Sequence, residues 1–563
     1  MPTPNRTCRL ASLGALALVT ITACSQLPPS RSSNDSLDQL FAEWNKPDAP
    51  GCSVGITRNG TTLYEQGYGI ANLDLAVPIS RTSVLNAASI SKQFTAISIL
   101  LLAHRGQLSL DDDVGKYIRN WGERAHRITI RHLLSHTSGL RDAFILQGLR
   151  PDHPENINEQ IVSILTRARG LNFVPGSQFE YNNGAYRLLA AIIERVSGQT
   201  FSVFVGANIF KPLGMTQSYI HDDAAQVIPH RATGYSRAKD GFRLVVRTYT
   251  DVVVGNSGLF TTVGDLLRWE QNFMDPRVGD AALIREMETP VMATGWSETS
   301  RYGLGVDIEE HRGLRTVGHG GGDDGVRSYV VRYPERRLSI AILCNRDDMD
   351  PAAVARSIAD LFLRGEFPIP ATTATAPATA PSVSVPTPDL QNKVGLYRDV
   401  SNDSLGRIFI RDGKLMAAAD DGNDYELTAI SPDRFVIKGT SVVAEFVPSV
   451  AGKPQELHVS GAGPKPHVSQ LIPPFTPSNA ALRAFEGTYT SDETDGTYTI
   501  VARDPGLLLQ VPTRADISFE PVFTDAFSGK MLGVVKFSRD GRGRVIAFTA
   551  TAPGVRGLRF NRR

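Results

Sequence analysis

The chain has 563 residues, more than one hydrophobic core usually serves, and 41% of them are hydrophobic, so we expect several globular domains. Its 59 basic side chains nearly balance its 58 acidic ones, which excludes the charge bias expected of a nucleic-acid binder or of a protein held on an anionic surface. Function must therefore be sought in local groups of residues.

The N-terminus is predicted to be a processed segment. An apolar stretch at residues 10–21 follows two arginines; it is too short to span a bilayer as a helix but suits a signal peptide over residues 1–23. The closing letters ITAC resemble a bacterial lipobox, in which the cysteine, here Cys24, is lipidated and becomes the new N-terminus. The residue after Cys24 is Ser25 and not an aspartate, which by the sorting rule for such lipoproteins favours the outer rather than the inner membrane. The alternative is ordinary cleavage after Ala23, which would release a soluble periplasmic protein.

Residues 36–366 mix helical stretches with strand hairpins, which predicts one large domain. Its first hairpin reads CSVGITRNGTTLYEQGYG, with Asn59 and Gly60 at the turn between two strands.

The stretch NAASISKQFTAISILLLAHRG, residues 86–106, changes from polar to apolar. Ser89 and Lys92 are three residues apart, so a helix that starts at or just before Ser89 places both side chains on one face, where the lysine could take the serine proton. The apolar run Phe94–Leu102 predicts a helix buried between other layers. Alternatively Ser89 only caps a core helix, since this spacing often arises by chance. Ser91 is the competing hydroxyl, but adjacent helical residues point apart.

Two later stretches are predicted to be site loops. Tyr181 and Asn183 lie just before an amphipathic helical pattern, and His319 begins a glycine-rich run before a strand. A tyrosine near a lysine is expected to have a depressed pKa and could serve as a base, because a neighbouring cation favours the phenolate. The glycines Gly321 and Gly322 would let a substrate approach the backbone, where a free amide could receive oxyanion charge. Each residue alone also fits an ordinary structural role.

Composition marks a boundary at residues 367–388, which are rich in Pro, Ala and Thr and nearly uncharged. Such a segment is a semi-rigid extended linker. The tail that follows consists of short strands and repeats itself with a period of about ninety residues, since VGLY at 394–397 matches EGTY at 486–489. We therefore predict two small all-β, barrel-like domains at residues 389–475 and 482–563.

Three other patterns are set aside. Gly320, Gly322 and Gly325 fit G-x-G-x-x-G, but two aspartates and a strand follow, so this is no nucleotide loop. His132 and His136 are spaced as metal ligands on a helix, but the glutamate of a zinc protease is missing and no third ligand is evident. No G-x-S-x-G occurs. We expect neither a metal nor a cofactor.

From about residue 37 to 362 the chain resembles the serine β-lactamase and penicillin-recognising hydrolase superfamily, in its class C, DD-peptidase and D-aminopeptidase branch. The resemblance rests on S-x-x-K at Ser89 and Lys92, Y-x-N at Tyr181 and Asn183, and H-x-G at His319 and Gly321, in the order of the family. The stretches ITIRHLLSHTSGL, NSGLFTTVGDLLRW and YGLGV are also similar to it. The resemblance implies an α/β (α+β) catalytic domain, in which helices flank an antiparallel sheet beside an all-helical subdomain.

The resemblance also implies the roles of the site residues. Ser89 would be the nucleophile that is acylated, Lys92 would hold the proton network, and Tyr181 would be the general base. Asn183 would orient the substrate and the lysine. The oxyanion hole would use the backbone amides of Ser89 and Gly322.

Histidine leads the third motif, where β-lactamases usually have lysine, and this resembles D-aminopeptidases and esterases of the superfamily. A largely neutral imidazole is a poor partner for the carboxylate of a penicillin. The predicted function is therefore a D-amino-acid-specific peptidase or amidase of the cell envelope that acts on small peptides, D-amino-acid amides, esters or β-lactams, with peptidoglycan as a further candidate partner. The alternatives are an esterase, a weak β-lactamase, and a non-catalytic envelope module that binds peptidoglycan.

Cys8 leaves with the signal peptide and Cys24 would be lipidated, so the mature chain keeps two thiols, in an oxidising compartment. In folds of this superfamily the first and last strands of the sheet are antiparallel neighbours. The resemblance therefore implies that Cys52, which opens the strand CSVGITR, lies near Cys344, which closes LSIAILC, and that the two can form a disulfide. The alternative is two buried free thiols, because a one-residue slip would send the sulfurs to opposite faces.

Overall fold

The computed structural model describes residues 31–150, 158–246, 252–297, 299–368, 383–400, 403–418, 424–438, 440, 442–450, 453–461 and 466–563. The predicted signal peptide with Cys24 lies outside these residues, and so does most of the predicted linker. The described chain forms a mixed region of helices and strands followed by two closed β-barrels.

One antiparallel sheet of eight strands is the centre of the mixed region. Its strands are β1 Cys52–Arg58, β2 Thr61–Tyr68, β10 Met292–Ala293, β11 Arg301–Tyr302, β12 Asp307–His311, β13 Leu314–Asp323, β14 Val326–Tyr333 and β15 Leu338–Cys344. Their order is β10-β11-β12-β13-β14-β15-β1-β2. The predicted hairpin is confirmed: β1 pairs with β2, and Asn59 and Gly60 both have positive φ at the turn.

Seven shorter strands form small sheets beside the large one. They are β3 Ile70–Asn72, β4 Val77–Pro78, β5 Leu85–Asn86, β6 Tyr219–Ile220, β7 Tyr235–Ala238, β8 Gly241–Leu244 and β9 Leu259–Thr261.

Helices cover both faces of the sheet. The α-helices of the mixed region are α1 Arg31–Phe41, α2 Ser91–His104, α3 Ile130–Leu134, α4 Ala143–Leu149, α5 Asn158–Arg167, α6 Asn183–Ser197, α7 Phe201–Val205, α8 Lys211–Leu213, α9 Val263–Asn272, α10 Ala281–Met287 and α11 Pro351–Phe362. Short 3-10 turns occur at Ala88–Ile90, Val114–Lys116 and Pro334–Arg336, and a π turn at Gly206–Phe210 joins α7 to α8.

The sheet is buried on both faces, and the strand β15 shows this most clearly. All seven of its residues are buried, and its side chains alternate between two hydrophobic clusters. Ala341 and Leu343 join the larger cluster with α2 and α6, whereas Ile340 and Ile342 join the cluster formed with α1 and α11. A strand covered on both faces reads as a continuous apolar run, as LSIAILC does.

The helix α2 is the central element of the larger cluster. Its residues from Ser91 to Leu102 are all buried, which confirms the prediction from the apolar run. Because the helix has no solvent face, its few polar side chains have to find partners inside the protein.

Cys52 and Cys344 face each other across the β1–β15 pair and are joined in a disulfide, with their Cα atoms 4.0 Å apart. The bond connects the first and last residues of these two strands, at a sequence separation of 292. Met349 packs against both sulfurs in the smaller cluster.

Each of the two barrels contains eight strands, which confirms the predicted duplication. The first consists of β16 Gly395–Asp399, β17 Leu405–Arg411, β18 Lys414–Ala418, β19 Asp424–Ala429, β20 Arg434–Ile437, β21 Val443–Val447, β22 Glu456–Ser460 and β23 His467–Ile472. The second consists of β24 Gly487–Ser491, β25 Gly496–Arg503, β26 Gly506–Gln510, β27 Ile517–Phe523, β28 Ala526–Gly529, β29 Gly533–Arg539, β30 Val545–Ala552 and β31 Val555–Arg562.

Short helices, α12 Thr387–Gln391 and α13 Asn479–Arg483, precede the barrels. The matched tyrosines of the repeat make the same contact: Tyr397 donates to a backbone carbonyl four residues back at 2.9 Å, and Tyr489 does so at 2.8 Å.

The second barrel packs on the helices beside the sheet and shares the larger hydrophobic cluster with them. The hydroxyl of Tyr498 donates to the carbonyl oxygen of Leu149 at 2.7 Å. Arg556 forms an ion pair with Glu180, with 2.9 Å between nitrogen and oxygen. A cavity of about 1390 Å³ lies between the two barrels and this region, and Glu180 is part of its wall.

Within the described ranges, no single helix is long and apolar enough to cross a membrane. One bent pair, α6 with residues 201–213, passes the test of length and composition. Most of α6 is buried in the larger cluster.

We expect the double variant Cys52→Ala/Cys344→Ala to be less stable by about 2–5 kcal/mol, because a bridge that closes so long a loop restricts the unfolded chain. Calorimetry should show a lower apparent Tm for the mixed region, and non-reducing peptide maps of the unaltered protein should contain the linked peptides. Alkylation of both cysteines under denaturant without reductant would contradict the pairing.

Candidate active site

Ser89 and Lys92 lie on consecutive turns of one helical segment. Ser89 belongs to the 3-10 turn Ala88–Ile90, which continues directly into α2. The Nζ atom of Lys92 is 2.9 Å from the Oγ atom of Ser89. Neither helical start carries a side-chain cap, so the serine is not a capping residue.

The side chain of Lys92 is fully buried and reaches three oxygen atoms. Besides Ser89, its Nζ atom is 2.8 Å from Oδ1 of Asn183 and 3.0 Å from the backbone oxygen of Asn256. Burial holds the pKa of Lys92 well below its usual value of 10.5; a carboxyl at Asp307 opposes this shift, and the charge of Arg187 adds to it. The site therefore favours a neutral amine beside the serine hydroxyl.

Tyr181 contacts the same two residues. The Nζ atom of Lys92 lies 4.7 Å from the centre of its ring, and its hydroxyl is hydrogen-bonded with Ser89. The expectation of a depressed tyrosine pKa is wrong: burial raises the pKa of Tyr181 well above 10. The reason is that the expected cation is itself disfavoured by burial. Tyr181 is therefore a neutral phenol at pH 7, able to donate a proton but a poor base.

The start of α6 positions Asn183. Asn182 caps this helix by accepting from the backbone amide of Ala185 at 2.9 Å, and its own amide group donates to the carbonyl oxygen of Leu140 at 2.7 Å. These two bonds fix the loop that contains Tyr181 to α6 and to the segment before α4.

His319 is buried, with 3% of its surface exposed. Its Nδ1 atom donates to the carbonyl oxygen of Gly320 at 2.6 Å, so its Nε2 atom accepts from the hydroxyl of Tyr302 at 3.0 Å. Burial lowers the pKa of His319 to about 3, and Lys92 adds to the shift. The imidazole is therefore neutral at pH 7.

The glycines that follow lie where β13 passes the turn that carries Ser89. A Cβ atom at Gly321 would come within 2.4 Å of the Ala87 oxygen and 2.1 Å of the Ser328 hydroxyl, so glycine is required there. The strand β12 pairs with β13 only as far as Gly318. The backbone amide of Gly320 donates a hydrogen bond to the carboxyl group of Asp307, on the side of the strand that faces β12. Amides two residues apart on a strand point to the same side, so the amide of Gly322 points the same way as that of Gly320. At that position β12 has already ended.

Sequence reasoning missed three residues of the site. His136 is fully buried, packs on Tyr181 with ring centres 4.3 Å apart, and accepts from the backbone amide of Asn182 at 3.0 Å. The hydroxyl of Tyr302 is hydrogen-bonded to His319, and the backbone oxygen of Asn256 is hydrogen-bonded to the amine of Lys92. A signal was present for all three, because they lie in the stretches LLSHTSGL, NSGLFTT and YGLGV that resemble the superfamily.

The patterns that were set aside have structural roles. His132 accepts from the amide of Thr129 in the capping of α3, and that helix ends at Leu134, before His136. Gly320 and Gly322 belong to a strand. Ser91 is buried; its hydroxyl donates to the oxygen of Ala88 at 2.6 Å and accepts from a backbone amide of β9. The described residues contain no group of three or more potential metal ligands.

An aromatic surface borders the site. Trp296, which is 51% exposed, packs edge-on against Phe179 with ring centres 5.4 Å apart, and its ring centre lies 6.2 Å from that of Tyr181. The site thus combines a buried polar network with an apolar border.

Comparisons with known proteins agree with this geometry. A family model described as Beta-lactamase matches residues 37–363. A penicillin-binding protein of Bacillus subtilis is 28% identical over 428 residues, which cover 73% of this chain and 93% of that protein. A D-aminopeptidase of Brucella anthropi is 29% identical over 303 residues; the match covers 53% of this chain and 56% of that relative, so the chain spans about half of its length.

Among solved structures, the octameric penicillin-binding protein homologue from Pyrococcus abyssi matches with a TM-score of 0.54 and 25% identity, covering 78% of this chain and 99% of that one. The family model spans more than half of the chain and includes Ser89, Lys92, Tyr181 and His319. The chain therefore belongs to the β-lactamase family and is a serine hydrolase of that family.

Proposed function

We propose that the protein hydrolyses its substrate through an acyl-enzyme on Ser89, with Lys92 as the base. The observation that carries this proposal is a fully buried lysine whose amine lies 2.9 Å from the serine hydroxyl and whose charged form burial disfavours. A neutral amine at this distance is suited to general-base catalysis.

The step proceeds as follows. As Oγ of Ser89 bonds to the substrate carbonyl carbon, its proton passes to Lys92, and the amides of Ser89 and Gly322 stabilise the oxyanion. The bond to the leaving amine or alcohol then breaks, and the leaving group receives that proton, relayed by the Tyr181 hydroxyl. Water attacks the acyl group in the same way and restores the serine. A module that only binds peptidoglycan would not need this proton network.

The substrate class that we propose is a peptide or amide of a D-amino acid. His319 supports it: a neutral imidazole stands at the position where a lysine would attract the carboxylate of a penicillin. The relative named D-aminopeptidase, at 29% identity, supports the same class.

We also propose that the protein works in the bacterial envelope, in the periplasm, anchored to the outer membrane through a lipid on Cys24, where peptidoglycan peptides are within reach. The support is the sequence alone: a short apolar segment and the letters ITAC before Ser25.

The test is a panel of five substrates given to the purified protein: D-alanine p-nitroanilide, its L-enantiomer, a stem-peptide mimic, p-nitrophenyl butyrate and nitrocefin. We expect the highest kcat/KM on the D-alanine anilide and little turnover of nitrocefin. Preference for the L-alanine anilide over its D-enantiomer, or for nitrocefin over both, would contradict the proposed substrate class.

For the nucleophile, we expect a fluorophosphonate to label Ser89 and no other residue, as peptide mapping would show. Ser89→Ala should remove labelling and turnover with an unchanged melting temperature. Ser91→Ala is the matched control. It should keep most of the labelling and the turnover, but its free energy of unfolding should fall by about 1 kcal/mol, because two buried hydrogen bonds are lost. Labelling that survives Ser89→Ala would contradict the mechanism.

For His319, we expect His319→Lys to raise kcat/KM for substrates with a free carboxylate relative to neutral amides and esters. The reason is that the wild-type imidazole is uncharged at pH 7, whereas a lysine that reaches the substrate provides a cation. His319→Gln, which stays neutral, is the control. An unchanged ratio between the two substrate classes in the lysine variant would refute this role.

A further inference from the structure

We propose that Arg187 is a positioning residue for Lys92: its buried guanidinium orients the amide of Asn256, which together with Asn183 holds the lysine amine, and it adds a permanent positive charge to these surroundings. This inference rests on the proposed role of Lys92 as the base for Ser89. It concerns a residue outside the three sequence motifs.

A chain of hydrogen bonds connects the two cations. The Nε atom of Arg187 donates to Oδ1 of Asn256 at 3.0 Å. The Nδ2 atom of Asn256 donates to Oδ1 of Asn183 at 3.4 Å, and Nζ of Lys92 lies 2.8 Å from that same oxygen. The arginine is thus connected to the catalytic amine through two asparagine side chains.

This chain determines the orientation of both amides. A guanidinium can only donate, so the oxygen of Asn256 has to face Arg187 and its amino group has to face Asn183. Asn183 then presents its oxygen to both Asn256 and Lys92. If the amide of Asn256 were reversed, its amino group would face the arginine donors and two oxygens would face each other. Arg187 therefore selects the arrangement that Lys92 requires.

The position of the arginine follows from the helix. Arg187 lies four residues after Asn183 on α6, so both side chains are on one face, a turn apart. Its side chain is 0% exposed and lies 5.0 Å from the ring centre of Phe144. Arginine does not lose its proton in proteins, so the charge is permanent. The charge of Arg187 disfavours the charged form of the buried Lys92.

Five titratable groups near Lys92, among the residues that the structure describes, are neutral at pH 7. Burial lowers the pKa of both neighbouring histidines and raises the pKa of the three neighbouring tyrosines, so all five are uncharged. They are His136, His319, Tyr181, Tyr186 and Tyr302.

Among the described residues, two carboxyls also act on these cations. Burial raises the pKa of Asp307 to about 8, yet this carboxyl still favours the charged form of Lys92, and more strongly than Arg187 opposes it. Asp142 caps α4; burial raises its pKa and the charge of Arg187 lowers it. Arg187 and Asp307 therefore act on Lys92 in opposite directions, and loss of the arginine would leave the influence of Asp307 unopposed by this cation.

The test is the pH dependence of fluorophosphonate labelling at Ser89, which needs no knowledge of the natural substrate. Arg187→Met removes the charge and keeps an apolar stem. Because the pKa of Lys92 rises when the neighbouring cation is lost, the pH below which labelling slows should move upward by about one unit. Arg187→Lys keeps the charge and should restore a value near that of the wild type.

Arg195→Met is the matched control. Arg195 lies on the same helix two turns further on and donates to the carbonyl oxygen of Tyr117. Its replacement removes an arginine charge from α6 away from Lys92 and should leave the pH profile unchanged. An equal shift in Arg187→Met and Arg195→Met, or no shift in either, would overturn the proposal.

If Arg187→Met does not fold, as judged by circular dichroism, Arg187→Gln gives a second test. Glutamine can still donate to Asn256 but carries no charge, so the profile should move upward in the same direction, and an unchanged profile would refute the proposal. Failure of the proposed function looks different, because the wild type itself would then show no labelling of Ser89. In that case both proposals fall.

Discussion

The rest of the site depends on the burial of one lysine amine beside one serine hydroxyl. In water Lys92 would be charged and could not accept a proton. Inside the protein its Nζ atom lies within 3.0 Å of three oxygens, and burial disfavours the charge. The protein has to position each of these oxygens, because a buried amine without partners would destabilise the fold.

The architecture provides those partners from separate parts of the chain. The 3-10 turn Ala88–Ile90 carries Ser89 and continues into α2, which carries Lys92 in the larger cluster. The start of α6 brings Asn183, and the segment before β9 brings Asn256. The loop before α6 is fixed by hydrogen bonds to His136 and Leu140, and the second barrel contacts it through the ion pair of Glu180 with Arg556. The barrel thus stabilises the wall of the site that holds Tyr181.

Much of this could be predicted from the sequence. The S-x-x-K spacing placed Ser89 and Lys92 on one helical face, the apolar run predicted the burial of α2, and the repeat predicted two β domains. The motifs also indicated the family. Local patterns were sufficient for these predictions because the residues involved are close in the sequence. Within one helix or strand, the spacing of residues determines which side chains share a face.

The rest depends on tertiary structure. The tyrosine pKa was wrongly expected to be low because the burial of Tyr181 and Lys92 cannot be read from their spacing. The roles of Asn256 and Arg187 depend on contacts between residues 69 positions apart. The pairing of Cys52 with Cys344 depends on the register of β1 and β15, which no local pattern determines.

The central claim is that burial makes Lys92 a neutral amine when Ser89 attacks. The most direct measurement is the rate at which a fluorophosphonate modifies the unaltered protein as a function of pH, followed by intact mass. Our account predicts a rate that reaches its plateau well below pH 10.5 and falls only in more acidic solution, because burial holds the pKa of the amine well below that value. A rate that continues to rise up to the ordinary pKa of a lysine would contradict it.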